Sequence, residues 1–309
     1  MNTGKILESF IRQIEKILLP HEFKIISNEK VFNDEGIQIA EFDIEIEGKV
    51  GSTNLKWLIE CRDRPTQGAA PGSWIEQLVG RRDRFKFNKV IAVSTTGFAE
   101  GAISYAKEAD IEIRTVTESN LEQIRDWFLI ETMSLFKRGG KLENATLLVD
   151  PNEPEESRNA VKEKLKNQGM NIPILSSTDH DSTITVVTAF QSAINSIEGL
   201  YDPLIPQGGT KPIKLRVAYP KDESHYFVKT SKGNVRIKEI LFHGEISVTL
   251  EEVPIAAVKK YHNLSGSEDI ATTANFNFDV DGNTLEISFN KLSETGETHV
   301  LLRKINGKA

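Results

Sequence analysis

Apolar residues recur at helical spacing from the start of the chain. Ile6, Leu7, Phe10, Ile14, Ile17 and Leu18 share one face, Glu8, Arg12, Glu15 and Lys16 lie between them, and Pro20 follows; the spacing predicts a helix over 5–19. The period then falls to two. "FKIISNEKVF" leads through a turn at "NDEG" into "IQIAEFDIEIEG", where Ala40, Phe42, Ile44 and Ile46 are expected on one face and Glu41, Asp43, Glu45 and Glu47 on the other. After the turn "GSTN" comes "LKWLIECRD", with Trp57, Ile59 and Cys61 pointing one way and Leu58, Glu60 and Arg62 the other.

A Gly- and Pro-rich loop, "RPTQGAAPG", separates that strand from a helix whose expected N-cap is Ser73, with Glu76 completing a capping box. "KVIAVST" has the Val/Ile richness of a central buried strand. "GFAEGAISYAKEAD" predicts a helix, "IEIRTVT" a strand, and "SNLEQIRDWFLIETMSLFKRGG" a closing helix stopped by its glycine pair. Helices alternating with strands predict an α/β layer over the first part of the chain.

The remainder is patterned differently. An acidic connector, "VDPNEPEES", leads into a helix, "SRNAVKEKLKNQG". Short alternating runs follow: "STITVVTAF", "IKLRVAY", "HYFVKTS", "NVRIKEILFHGEISVTLEEV", "ANFNFDVDGNTLEISFNKL" and "THVLLRKI". Asp281-Gly282-Asn283 predicts a hairpin turn between two of them. The expectation is an α/β domain, with a mixed central sheet flanked by helices, over 1–138, and a mainly antiparallel β domain over 139–309.

Composition narrows the function classes. The chain has 309 residues and a formal net charge of −7, so any polyanion binding needs a local basic patch. One cysteine, Cys61, excludes an internal disulfide and a cysteine-held metal. Its place on the apolar strand face makes it a structural thiol. The six histidines have no metal-like spacing, Asp179-His180-Asp181 reads as a loop or a strand edge, and "IPQGGTKP" lacks the pattern of a phosphate-binding loop. No apolar run reaches the roughly 20 residues of a membrane span, and the start lacks a signal-peptide core. A reducing cytoplasm is the expected compartment.

The chemistry lies where the two acidic strand faces meet. If the strands pair, Asp43 and Glu60 converge, and two adjacent carboxylates repel each other. A hard divalent cation relieves that conflict; Mg²⁺ (or Mn²⁺) uses one or two carboxylates, keeps several waters and accepts a phosphate. Arg62, two residues beyond Glu60, adds positive charge where a phosphodiester transition state builds negative charge. The plainer alternative, a half-exposed strand with surface ion pairs, fits the same alternation. Residues 80–89, "GRRDRFKFNK", carry Arg81, Arg82, Arg84 and Lys86 among aromatic residues. They suit DNA phosphates, and equally a solvated helix end.

Asp43, "IECR" at 59–62, Gln77 and "VIAVSTTGFAEGAISYAKEADIEIRTV" at 90–116 together resemble the PD-(D/E)XK nuclease superfamily, within it the Mrr-like restriction endonuclease branch. The resemblance covers about the first 130 residues. It implies a restriction-endonuclease-like fold and a metal-dependent DNA endonuclease of restriction or foreign-DNA defence. Asp43 and Glu60 would be metal ligands, Glu8 (with Glu15 as the runner-up) an additional metal or water contact, and Gln77 a neighbour of the site. Arg62 stands where the family usually has lysine, and an arginine cannot serve as a general base. A homodimer and DNA as substrate are implied, with recognition, regulation or a protein partner left to the β domain. The alternative is a non-catalytic nuclease-like module that binds nucleic acid or a partner protein.

Overall fold

The computed structural model describes residues 3–166, 168–178, 182–220 and 225–305. In chain order the elements are α1 (Thr3–Leu18), β1 (Lys24–Phe32), β2 (Gln38–Val50), β3 (Thr53–Arg62), α2 (Gly72–Phe85), β4 (Lys89–Ser94), α3 (Glu100–Glu108) and β5 (Glu112–Ser119). There follow β6 (Thr132–Val149), α4 (Glu155–Leu165), β7 (Leu175–Ser177), β8 (Thr183–Ile184), α5 (Val186–Ser196), β9 (Gly209–Ala218) and β10 (Tyr226–Thr230). The last are β11 (Gly233–Asn263), β12 (Glu268–Val280), β13 (Asn283–Leu292) and β14 (Thr298–Ile305). The tripeptide at 179–181 lies outside the described residues.

The chain divides into two compact units, one made of residues up to Met133 together with those from Val253 onward, the other of Ser134–Glu252. This differs from a division at 138/139. The reason is strand pairing: the end of β11 pairs antiparallel with β5, and β12, β13 and β14 add on in succession. The C-terminal hairpins therefore extend the sheet of the N-terminal α/β layer. The β12–β13 turn is the expected one: Val280 pairs with Asn283, and Asp281 and Gly282 both have positive φ.

In the first unit β2 pairs antiparallel with β1 and β3, while β3, β4 and β5 run parallel, giving a mixed sheet. Helices cover both faces, as expected for this fold class. On one face α1 places Leu7, Phe10, Ile11 and Ile14 against Ile44, Ile59, Ile91 and Val93. On the other, Ile75 and Leu78 of α2 and Ala102 and Ala106 of α3 pack on Leu58, Val90 and Ala92. A buried ion network ties α1 to the sheet: Arg114 Nη1 donates to Glu15 Oε1 at 2.6 Å and to the Tyr261 hydroxyl at 2.7 Å.

One strand face does not run through as the alternation suggests. Phe42 packs on the α2 side and Ile44 and Ile46 on the α1 side, so the faces exchange at Asp43. On the partner strand Asn28, between the pairs Ser27–Ile44 and Glu29–Phe42, takes φ 56°. The distortion of β1 and the exchange of faces on β2 thus lie at the same level of the sheet.

In the second unit β11 pairs antiparallel with β9 and β10, and β10 with β7. Phe190, Phe242, Ile237 and Val228 lie at the centre of its core. Two expectations change here. The run after Ser119 makes a short 3₁₀ turn, Leu121–Ile124, and then strand β6. Phe128 is held by the distant Phe276 and Phe289, with ring centroids at 6.1 and 5.0 Å, so tertiary packing overrides local helical preference. The glycine pair ends no helix; a Cβ on Gly140 would lie 2.2 Å from Ile194 Cδ1, so its lack of a side chain admits α5. Residues 182–190, expected as a strand, lead into α5, where Val186, Ala189, Phe190 and Ile194 are buried at helical spacing and Thr185 caps the Thr188 N–H at 2.9 Å.

Candidate active site

Strand β3 is buried on both faces, and its last residues emerge at a cleft of about 570 Å³ lined by Asp43, Glu60, Arg62, Gln77 and Arg81. Four of the five residues read as catalytic from the sequence thus line one cavity, joined by Arg81, the first arginine of the basic segment. The fifth, Glu8 on α1, is electrostatically coupled to Asp43.

The Cys61 backbone N–H donates to Asp43 Oδ2 at 2.7 Å, which ties the acid of β2 to the strand carrying Glu60. Burial raises the pKa of Asp43, while the Cys61 N–H and Arg81 pull it back. Glu60 is pushed up to about 8, first by burial and then by the charge of Asp43, with Arg81 opposing. Glu8 is pushed up to about 7 by partial burial and then by Asp43, with Lys5 opposing. Three carboxyls thus hold protons more tightly than isolated ones, the signature of negative charge crowded into low dielectric.

Arg81 Nη1 lies 2.5 Å from Glu60 Oε1. The contact is an ion pair out of hydrogen-bond alignment, and Oε1 is buried without an aligned donor. A buried carboxylate oxygen left in this way, beside a second carboxylate, suits a hard cation. Among the described residues no group of three or more His, Cys, Asp and Glu is arranged to hold a metal ion. Two carboxylates are the number that Mg²⁺ commonly takes from protein, and the residues present fit it.

Arg62 turns toward the loop that follows its own strand, donating to Gly68 O at 3.1 Å and Gln67 Oε1 at 3.4 Å. Burial, then the neighbouring Arg64, lowers its pKa. The loop is pinned to the turn after β4: Thr95 Oγ1 donates to Asp63 Oδ1 and Thr96 Oγ1 to Gly68 O, both at 2.8 Å. The Ala70 N–H also donates to Gly97 O at 2.9 Å. The "STTGFA" stretch therefore buttresses one wall of the cleft. No lysine lines it among the described residues; Lys56 pairs with Glu45 at 3.0 Å, and Lys86 forms the left-handed C-cap of α2.

The basic segment diverges. Arg81 enters the cleft, Arg82 donates to Ala109 O at 2.5 Å, and Arg84 lies over the Phe85 ring at 5.2 Å. Arg82, Arg84 and Lys86 are not part of the cavity wall. Ser73 is not the N-cap of α2; Pro71 holds that position in extended conformation without a side-chain cap, and Ser73 faces the cleft from the first turn. Asp63, Arg64, Gln67 and Trp74 also line the cleft; the sequence marked the loop from Arg64 to Ser73 as able to reach a substrate but named none of these four as site residues. The one signal for Arg81 as a site residue was its spacing, one helical turn beyond Gln77.

A mixed sheet between α1 and the α2–α3 pair, with two acids brought together by antiparallel β2 and β3, is a restriction-endonuclease-like fold. Residues 7–124 match the Mrr catalytic-domain family, described as restriction endonuclease. A search of curated proteins finds no match to the chain. One solved structure, described as the crystal structure of a protein of unknown function, AF1548, is similar at 20% identity and a TM-score of 0.29, over 36% of this chain. The similarity spans 57% of that structure's own length and is too slight to bear on function. Among the described residues no helix is long and apolar enough to cross a membrane.

Proposed function

We propose that the chain is a metal-dependent DNA endonuclease that hydrolyses phosphodiester bonds in restriction or foreign-DNA defence. The observation that carries the reading is the pair Asp43 and Glu60 in one cleft, within a segment matching a restriction endonuclease family. Asp43 and Glu60 would hold Mg²⁺ or Mn²⁺. Such an ion supplies a water of lowered pKa and charge for the scissile phosphate. Asp43 is fixed by the Cys61 N–H, so its carboxylate is oriented before substrate arrives. Arg62, held by the loop, offers a fixed positive charge toward the cleft for the developing phosphorane. Gln77 would hydrogen-bond a substrate oxygen from α2, and Glu8 would steer a water or a second contact through its charge on Asp43. Arg82, Arg84 and Lys86 would bind phosphates farther along a duplex. Cleavage of both strands calls for two such sites, hence a dimer.

The test is incubation of purified protein with plasmid and Mg²⁺ or Mn²⁺, beside Asp43→Asn and Glu60→Gln. Metal-dependent cutting by the wild type and none by either folded variant is expected. Equal cutting by the variants would refute the assignment.

A second reading is a non-catalytic nucleic-acid- or protein-binding module. It is favoured by one observation: Arg62 replaces the expected lysine and no described lysine lines the cleft. Salt-sensitive DNA binding without cutting in any metal would select it.

A further inference from the structure

Three guanidiniums reach the cleft, and they are not equivalent. Arg62 and Arg64 turn to the loop, to Gly68 O and to Gln67 Oε1. Arg81 turns inward to Glu60, with its Nη1 also donating to Glu41 O at 3.3 Å. An arginine cannot discharge by losing a proton, so the guanidinium beside Glu60 stays charged and a divalent ion has to displace it. The two ends of the pair differ in freedom. The Glu60 side chain is 8% exposed, whereas that of Arg81 is 35% exposed and has a path to solvent.

We infer that Arg81 gates cation entry: its guanidinium occupies the place beside Glu60 that a divalent ion needs, and it must leave Glu60 before the ion binds. The inference rests on the metal-dependent reading of the site and adds to it a competitor built into the chain. The exchange breaks one ion pair and makes no covalent bond. The released guanidinium stays at the cleft, where its planar fork of donors suits the anionic oxygens of a phosphodiester. Cation loading and phosphate binding are then coupled through one side chain on α2.

The test is a titration of Mn²⁺ alone, without DNA, following free ion by electron paramagnetic resonance at fixed pH and salt. Wild type, Arg81→Gln and Arg64→Gln are compared, each checked for a cooperative melting transition. A gate predicts that Arg81→Gln binds Mn²⁺ about five- to tenfold more tightly than wild type. Arg64→Gln removes the same charge from the same cleft but no contact with Glu60, so its gain is much smaller. Should Arg81→Gln not fold, Arg81→Lys replaces it; the shorter cation holds Glu60 less closely, and tighter binding than wild type is again expected. Affinity unchanged or weakened by the Arg81 substitution, with wild type binding Mn²⁺, would overturn the gate alone. Equal gains in the Arg81 and Arg64 variants would reduce the effect to bulk charge and overturn it too. No Mn²⁺ binding by any of these proteins would remove the metal site itself, and the gate with it.

Discussion

The backbone N–H of Cys61 donates to the carboxylate of Asp43 at 2.7 Å, across the gap between the two strands that carry the acids. One hydrogen bond thus sets both the position of Asp43 and the end of its pairing with β3. Asparagine can accept the same bond through its amide oxygen, whereas alanine cannot. Asp43→Asn is expected to melt close to wild type and to lose metal-dependent cleavage. Asp43→Ala leaves the Cys61 N–H without its acceptor and is expected to cost an additional ~1–3 kcal/mol in chemical denaturation. Equal stability of the two variants would show that the bond is not structural.

Glu60 links the site to pH. Its carboxyl sits at about 8 in the folded protein against an ordinary 4.5, so between these values the native state holds a proton that the unfolded chain has lost. Stability of the metal-free protein therefore falls as pH rises through that window. Glu8, pushed up to about 7, adds a decline of the same sign. With a chelator present, the melting temperature of wild type is expected to fall more steeply from pH 5 to pH 8 than that of Glu60→Gln. Parallel slopes would mean that Glu60 ionises without strain.

Arg62 decides between the enzyme and the binding module. It is anchored to Gly68 and Gln67, so its charge is positioned before substrate arrives. If it stabilises the transition state, Arg62→Ala slows single-turnover cleavage by about 10²–10³-fold and Arg62→Lys much less. If wild type does not cut and Arg62→Lys does, the arginine marks a domain that has kept its site and given up its chemistry.

The network under α1 has a purely structural expectation. Arg114 is the cationic partner of the buried Glu15, which also receives the Tyr261 hydroxyl at 3.1 Å. Arg114→Leu leaves that carboxylate uncompensated and is expected to cost about 3–5 kcal/mol in urea unfolding. A loss below 1 kcal/mol would place Glu15 in contact with water.

Much of the first unit was legible because its signals are local. The heptad-like face of α1, the alternation of β2 and β3 and the Val/Ile run of β4 each carry their own period. Asp43, Glu60 and Arg62 follow from that order of parts, Gln77 from the resemblance to the Mrr-like nucleases, and they reach one cleft. What was hidden depends on distant partners. Phe128 is captured by Phe276 and Phe289 from the far end of the chain, so the expected closing helix yields to a turn and a strand. The pairing of β11 with β5 leaves no mark in either segment, which is why the C-terminal hairpins looked like a separate domain. Arg81 was legible as a basic residue but not as the partner of Glu60, because facing across α2 to β3 is a property of packing. Helix α5 was misread from its β-branched start, although its apolar positions keep helical spacing through Ile194.

The central claim is that Asp43 and Glu60 form a divalent-cation site. Diffraction from crystals soaked in Mn²⁺, recorded near the manganese absorption edge, tests it directly. The account predicts an anomalous peak in contact with both carboxylates, with the Arg81 guanidinium moved off Glu60. A peak elsewhere, or none with the cleft open to solvent and Mn²⁺ in excess, would contradict it.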